Sequence, residues 1–133
     1  MLYMLDINVC IGIMNNRPPE LRKRLLQLDV NDVAISQIVL YELEYGVCGS
    51  QHQQRNRKNL DSFLKHIQVL GWQHEQSQEA ALVRCELKLR GEPIGHYDTL
   101  IAAHARSLQA TLITHNVREF KRVKGLIFED WEA

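Results

Sequence analysis

Short apolar runs alternate along this chain with longer stretches of helical periodicity. The short runs predict buried strands, and they lie at residues 2–5, 33–35, 68–72, 111–114 and 126–128. The longer stretches repeat apolar residues at helical spacing, and they lie at residues 8–14, 20–28, 38–45, 77–89, 97–108 and, as a single turn, 117–120. Strands that alternate with helices are typical of an α/β domain whose parallel sheet is covered by helices on both faces.

Two local features refine this pattern. Ser36 follows the second predicted strand and is the expected N-cap of the next helix. Residues 50–58 are the most polar stretch, and they fit either a loop or the exposed start of a helix that becomes apolar at Leu60.

The size and composition indicate an ordinary globular domain. The chain has 133 residues, of which 45% are apolar and 24% are charged, so we expect residues 1–133 to form one domain. No apolar run approaches the roughly 20 residues that a membrane-spanning helix needs. The first residues lack the basic region of a signal peptide, and Asp6 interrupts their apolar run. We therefore expect a cytoplasmic protein.

The net charge of the chain is too low for it to bind nucleic acid through overall positive charge alone. Lys and Arg total 16, and Asp and Glu total 16, so the formal net charge is zero. Two local basic groups remain. Residues 22–24 fit a solvated helix face. Residues 118–124 place four cations beside Glu119, and they fit phosphate docking as well as a solvated surface.

The sequence lacks the motifs of several other chemistries. Its three cysteines are far apart and form no CxxC pair, so they indicate neither a disulfide framework nor a zinc knuckle, and we expect all three to be buried. The spacing of His96, His104 and His115 matches no zinc motif. Dinucleotide-binding, P-loop and nucleophile-elbow motifs are also missing.

Acidic and polar residues follow the predicted strands, at the sheet edge where α/β proteins bind ligands. Asp6 ends the first strand, Glu42 lies in the helix after the second, Asp98 begins the 97–108 helix, and Thr114, Asn116 and Glu119 mark the end of the fourth strand. Each acid alone fits a helix cap or a surface charge. Together they would repel one another unless a cation lies between them, and carboxylate oxygens suit Mg²⁺ or Mn²⁺.

Four segments of the chain carry a family resemblance. They are MLDINVCI at 4–11, the S-x-x-x-x-x-E-L-x-x-G spacing from Ser36 to Gly46, PIGHYDTLIAAHA at 93–105 with its D-x-x-I-A-x-H-A stretch, and LITHNVREFKRVKGLIFEDW at 112–131 with its T-x-N-x-x-E-F-x-R-V-x-G-L stretch. In this order, from end to end, they resemble the VapC-type PIN-domain ribonucleases, the toxins of type II toxin–antitoxin pairs.

The resemblance implies a fold, an activity and partners. The fold is the PIN domain, with a five-stranded parallel sheet, and the activity is metal-dependent endoribonuclease cleavage. The implied catalytic carboxylates are Asp6, Glu42, Asp98 and Glu119, with Asp6 and Asp98 as ligands of Mg²⁺ (or Mn²⁺) and Thr114 and Asn116 as polar support. Similar enteric members cleave initiator tRNA in the anticodon loop, so tRNA is the expected substrate. A VapB-type antitoxin and a homodimer are the expected protein partners.

Two residues depart from the family pattern and keep alternatives open. Ile7 stands where the family has Thr or Ser. Asn116 stands where many PIN domains have Asp, and this difference makes the site less negative by one charge. One alternative is a non-catalytic RNA-binding or regulatory PIN-like module. The other is a metal-dependent DNA nuclease or phosphatase on a similar sheet.

Overall fold

Five parallel strands form one central sheet in the computed structural model, which describes residues 1–132. The strands are β1 (Tyr3–Leu5), β2 (Val33–Ser36), β3 (Gln68–Leu70), β4 (Thr111–Ile113) and β5 (Ile127–Glu129). They lie in the order β3-β2-β1-β4-β5, and every neighbouring pair is parallel. The predicted α/β class and parallel sheet are confirmed, with the five strands that the family resemblance implies.

Helices connect these strands and cover the sheet. They are α1 (Ile7–Asn15), α2 (Pro19–Leu26), α3 (Gln37–Cys48), α4 (Gln53–Leu64), α5 (His74–Leu89), α6 (His96–Ser107) and α7 (Val117–Phe120). The polar stretch at 50–58 contains the start of α4. Of the two predicted alternatives, a loop or the exposed start of a helix, the helix is therefore correct. Helix α5 begins three residues before the predicted Ser77, because Gln73 and Gln76 form a capping box at its start.

The strand order places a crevice between β1 and β4. The chain builds outward from β1 to β2 and β3, and then returns to build β4 and β5 on the other side of β1. Ligands of open α/β sheets bind beyond the carboxyl ends of the strands at such a switch point. The backbone NH of Asp6 extends the pairing there by donating to the carbonyl of Ile113 at 3.0 Å.

The strands have continuous apolar sequences because both of their faces are buried in the core. Leu5, Ile35 and Leu112 are fully buried, because helices cover both faces of the parallel sheet. Of the three cysteines only Cys10 is buried, so the expectation that all would be buried is wrong for Cys48 and Cys85. Both exposed cysteines lie on helices, whose outer faces meet solvent. Within residues 1–132, no helix is long and apolar enough to cross a membrane.

A buried polar contact ties α6 to the start of α3. Ser36 accepts a hydrogen bond from the backbone NH of Ile38, which is the predicted N-cap. Its hydroxyl also lies 2.8 Å from Nδ1 of the buried His104. The rings of His104 and Trp72 pack in a T-shaped arrangement at a centroid distance of 5.4 Å. This contact fixes the two helices that carry Glu42 and Asp98 relative to each other.

We predict that Ser36→Ala lowers the free energy of unfolding by about 2 kcal/mol. The change removes the cap and leaves the buried imidazole of His104 without its hydrogen-bonded neighbour. Urea denaturation measures the loss, and Ser62→Ala on the exposed surface of α4 is the matched control, for which we expect almost no change. Equal stability of the two variants would contradict the structural role of Ser36.

Candidate active site

Asp6 is a buried carboxylate at the carboxyl end of β1. Only 4% of its surface is exposed. One oxygen accepts from the backbone NH of Ile7 at 2.8 Å, and the other accepts from the hydroxyl of Thr114 at 2.8 Å. Burial raises the pKa of Asp6 although both hydrogen bonds oppose this, and the charge of Glu119 raises it further. Asp6 is thus the N-cap of α1 and, at the same time, a carboxylate at the switch point.

The loop after β4 supports Asp6 and positions a second acid. The hydroxyl of Thr114 accepts from the backbone NH of Asn116 at 3.0 Å. The side-chain amide of Asn116 donates to Glu119 at 3.3 Å. A chain of hydrogen bonds therefore connects Asp6, Thr114, Asn116 and Glu119. The two residues expected as polar support are the two that make these contacts.

Glu42 reaches the same place from the second turn of α3. Its side chain is half-buried, and its Oε1 atom is buried with no hydrogen-bond partner in residues 1–132. Burial raises the pKa of Glu42, and the charge of Asp6 adds to this. A buried carboxylate oxygen without a partner is costly. Glu42 therefore lies near another negative charge and has one carboxylate oxygen, Oε1, that is free to bind a cation or a water.

Asp98 completes the group from the first turn of α6. The pKa of Asp98 is raised to about 7. Burial is the largest cause, and the neighbouring carboxylate of Glu119 and the negative charges of Asp6 and Glu42 add to it. The four predicted acids thus act on one another across elements that are far apart in sequence. Such repulsion at one sheet edge is typical of a site that binds a cation.

The oxygen-only donor set fits Mg²⁺ or Mn²⁺ better than zinc. Negative charge at this site is not compensated within residues 1–132. The Oε1 atom of Glu42 has no hydrogen-bond partner there, and the pKa values of Asp6 and Asp98 are raised. The acids do not form a tight cage. In the described part of the chain, three ligand atoms lie within 4.8 Å of one another only at His115, Asp130 and Glu132.

That second group is a cluster of polar side chains at the surface. Nδ1 of His115 lies 3.0 Å from Asp130 and 3.6 Å from Glu132. The His115 side chain is 66% exposed. These contacts hold the end of the chain beside the loop that carries Asn116.

The sequence interpretation missed the aromatic wall beside the acids. Tyr41 and Tyr97 directly precede Glu42 and Asp98, and their rings pack together at a centroid distance of 6.0 Å. With Ile7 they line a cavity of about 540 Å³ that reaches Glu42. The one available signal was that an aromatic residue stands immediately before each of these acids.

The sequence pattern of the PIN domain matches residues 3–126. Ribonuclease VapC2 of Rickettsia felis is 41% identical over 133 residues, which cover 99% of each chain. The tRNA(fMet)-specific endonuclease VapC of Shigella flexneri is 40% identical over 129 residues, which cover 97% of each. The crystal structure of VapBC2 from Rickettsia felis, bound to a DNA fragment from their promoter, contains a similar chain with TM-score 0.92, 38% identity and coverage of 98% and 99%.

We predict that Asp98→Asn stabilises the protein when divalent metal is removed by EDTA. The change keeps the shape of the side chain but deletes one of several repelling charges, and such changes at a strained site add roughly 0.5–2 kcal/mol. Because the pKa of Asp98 is raised to about 7, its ionisation destabilises the folded protein as the pH rises. The gain should be largest above about pH 7 and should fade toward about pH 4.

Urea denaturation in EDTA at several pH values measures this effect. Asp61→Asn on the exposed surface of α4 is the control, for which we expect no pH-dependent gain. If Asp98→Asn gains no more than the control, the acids do not repel one another as the geometry implies.

Proposed function

The chain belongs to the VapC-type ribonucleases of the PIN domain family, and from this premise we propose that it is a magnesium-dependent endoribonuclease toxin that cleaves tRNA. The observation that carries the proposal is the meeting of Asp6, Glu42, Asp98 and Glu119 at the β1–β4 switch point. The name of the Shigella flexneri relative makes initiator tRNA the first substrate to test. An unpaired anticodon loop suits such an enzyme, since its backbone is accessible between splayed bases.

Asp6 and Asp98 are the residues that would hold Mg²⁺. Asp6 is fixed by Ile7 and Thr114, and Asp98 has a raised pKa among like charges, so both gain from a neighbouring cation. When bound, Mg²⁺ supplies positive charge that stabilises the charge developing on a phosphate. Ile7 lacks the hydroxyl that the family has there, and the hydroxyl of Thr114 already holds Asp6.

The other two acids differ in their freedom. Glu119 accepts a hydrogen bond from Asn116 and is therefore oriented. Glu42 has an unpartnered oxygen, and a raised pKa suits a group that orients a water and takes its proton. We assign Glu42 to the attacking water and Glu119 to holding Asp98 in place.

We predict that Asp6→Asn and Asp98→Asn each reduce RNA cleavage to the background of the assay. Each change removes a negative charge from the proposed metal site without changing the side chain's size. Cleavage of tRNA by the purified protein, with Mg²⁺ and then with EDTA, measures this loss. Thr114→Val should lower the rate by about 10–100-fold, since supporting contacts of metal ligands have effects of that size.

The control Asp61→Asn should cleave as well as the unchanged protein. Full activity of Asp6→Asn or Asp98→Asn would refute the proposed site. Binding of tRNA without cleavage in Mg²⁺ or Mn²⁺ would favour the non-catalytic module. Cleavage of DNA in preference to RNA would favour the rival nuclease.

We further propose that a VapB-type antitoxin inhibits this site. The similar chain from Rickettsia felis was solved in a VapBC2 complex. The strongly negative pocket attracts a cation, and an Arg side chain can bond two carboxylate oxygens at once. A disordered antitoxin tail that folds on binding could deliver this Arg. The homodimer and the single-domain organisation of residues 1–133 stay predictions.

We predict that Asp98→Asn weakens antitoxin binding by at least about tenfold, because the Arg loses a charged partner in a desolvated site. Mg²⁺ should compete with the antitoxin, and Lys in place of the Arg should inhibit less. Titration calorimetry of the complex at several Mg²⁺ concentrations measures the first two effects, with Asp61→Asn as the control, and tRNA cleavage in the presence of antitoxin measures the third. An unchanged affinity of Asp98→Asn would mean that inhibition works by covering RNA-binding surface elsewhere.

A further inference from the structure

A basic surface adjoins the acidic centre. We define it as Arg90, Arg118, Lys121, Arg122 and Lys124, which surround a shallow depression of about 470 Å³ together with one acid, Glu92. The whole chain carries equal numbers of basic and acidic residues, so this is a local departure from an even charge distribution. Such a surface attracts a polyanion even when the net charge is zero.

Two of its arginines are held in place by backbone carbonyls. Arg122 donates to the backbone carbonyl of Pro93 at 3.0 Å, and Arg90 donates to the carbonyl of Arg122. Carbonyl partners orient a guanidinium but leave its positive charge. Of the five cations, only Arg90 has an acid within 4.0 Å in residues 1–132, namely Glu92 at 3.4 Å.

The basic surface and the acidic centre share one short element. Arg118, Lys121 and Arg122 are spaced three and four residues apart around α7 and the turn that follows it, so they share a face. Glu119, between them in sequence, turns toward Asn116 and the acids. The first of these cations, Arg118, is therefore the immediate neighbour in sequence of one of the four acids. A strand with a phosphate at the acids would place its next phosphates over this surface.

The other basic run shows the contrast. Arg22 donates to the carbonyls of Ile13 and Met14 at the end of α1. Arg24 lies over the ring of Trp131 and faces Glu129. Arg22 and Arg24 thus hold elements of the fold together. In the basic surface only Arg90 and Arg122 make such contacts, and within residues 1–132 the side chains of Arg118, Lys121 and Lys124 make no hydrogen bond or ion pair.

We propose that the basic surface binds the phosphates of the RNA strand that flanks the scissile bond, and so positions the substrate; this rests on the proposed ribonuclease function. The ligand is a phosphodiester backbone, and cations bind its phosphates whatever the base sequence. Its contribution is therefore to affinity and register, and the choice of RNA sequence lies elsewhere.

The test compares two double variants. Arg118→Ala/Lys121→Ala removes two exposed cations of the surface, and Lys23→Ala/Lys65→Ala removes two exposed cations on α2 and at the end of α4. We expect the first variant to raise KM for tRNA roughly tenfold at 0.1 M salt and to change kcat less than about threefold. The slope of log affinity against log salt should fall by about 1.5–2. The second variant should leave all three unchanged.

A binding arm separates this proposal from the proposed function. Fluorescence anisotropy with a labelled single-stranded RNA is measured in the Asp98→Asn protein, where no cleavage is expected, with and without Arg118→Ala/Lys121→Ala. Equal RNA affinity with and without the double change overturns the surface, even if the unchanged protein cleaves tRNA. A loss of affinity supports the surface, even if no cleavage is found.

Thermal unfolding of each variant is measured alongside, and equal melting temperatures exclude misfolding. If the double change instead weakens binding of a VapB-type antitoxin and leaves RNA binding intact, the surface docks a protein and the proposal is wrong.

Discussion

The buried carboxylate of Asp6 is the constraint on which the candidate site depends. A charge at the end of a central strand is costly unless hydrogen bonds or a cation compensate it. The backbone NH of Ile7 and the hydroxyl of Thr114 supply the hydrogen bonds. They offset the cost only in part, since burial still raises the pKa of Asp6. The remaining deficit is what makes a cation at this sheet edge favourable.

The surrounding elements increase this deficit. Helices α3 and α6 bring Glu42 and Asp98 toward Asp6, and the contact between Ser36 and His104 holds the two helices at this spacing. The fold therefore maintains a repulsion that a purely structural sheet edge would avoid. Stability lost at such a place is typical of functional sites. Charges of both signs lie close together in α7 and the turn that follows it, because Glu119 is flanked in sequence by Arg118 and by Lys121 and Arg122.

Much of the fold and of the candidate site was predictable from the sequence. The strand runs, the helices and the cap at Ser36 are local features, and periodicity over a few residues encodes them. Boundaries shifted where a side chain acted as a cap, as Gln73 and Gln76 did for α5. The exposure of Cys48 and Cys85 was not predictable from residue type, because it depends on which helix face meets solvent.

The sequence by itself determined that polar residues end buried strands, because an apolar run followed by an acid is a local pattern. Only the tertiary structure decided which of them meet. Asp6 and Thr114 are 108 residues apart and are joined because β4 returns beside β1. Likewise, two similar basic runs differ in use, since Arg22 and Arg24 pack on the fold whereas Arg118 and Lys121 face solvent. Strand order and packing across the sheet set these contacts, and local periodicity carries no information on either.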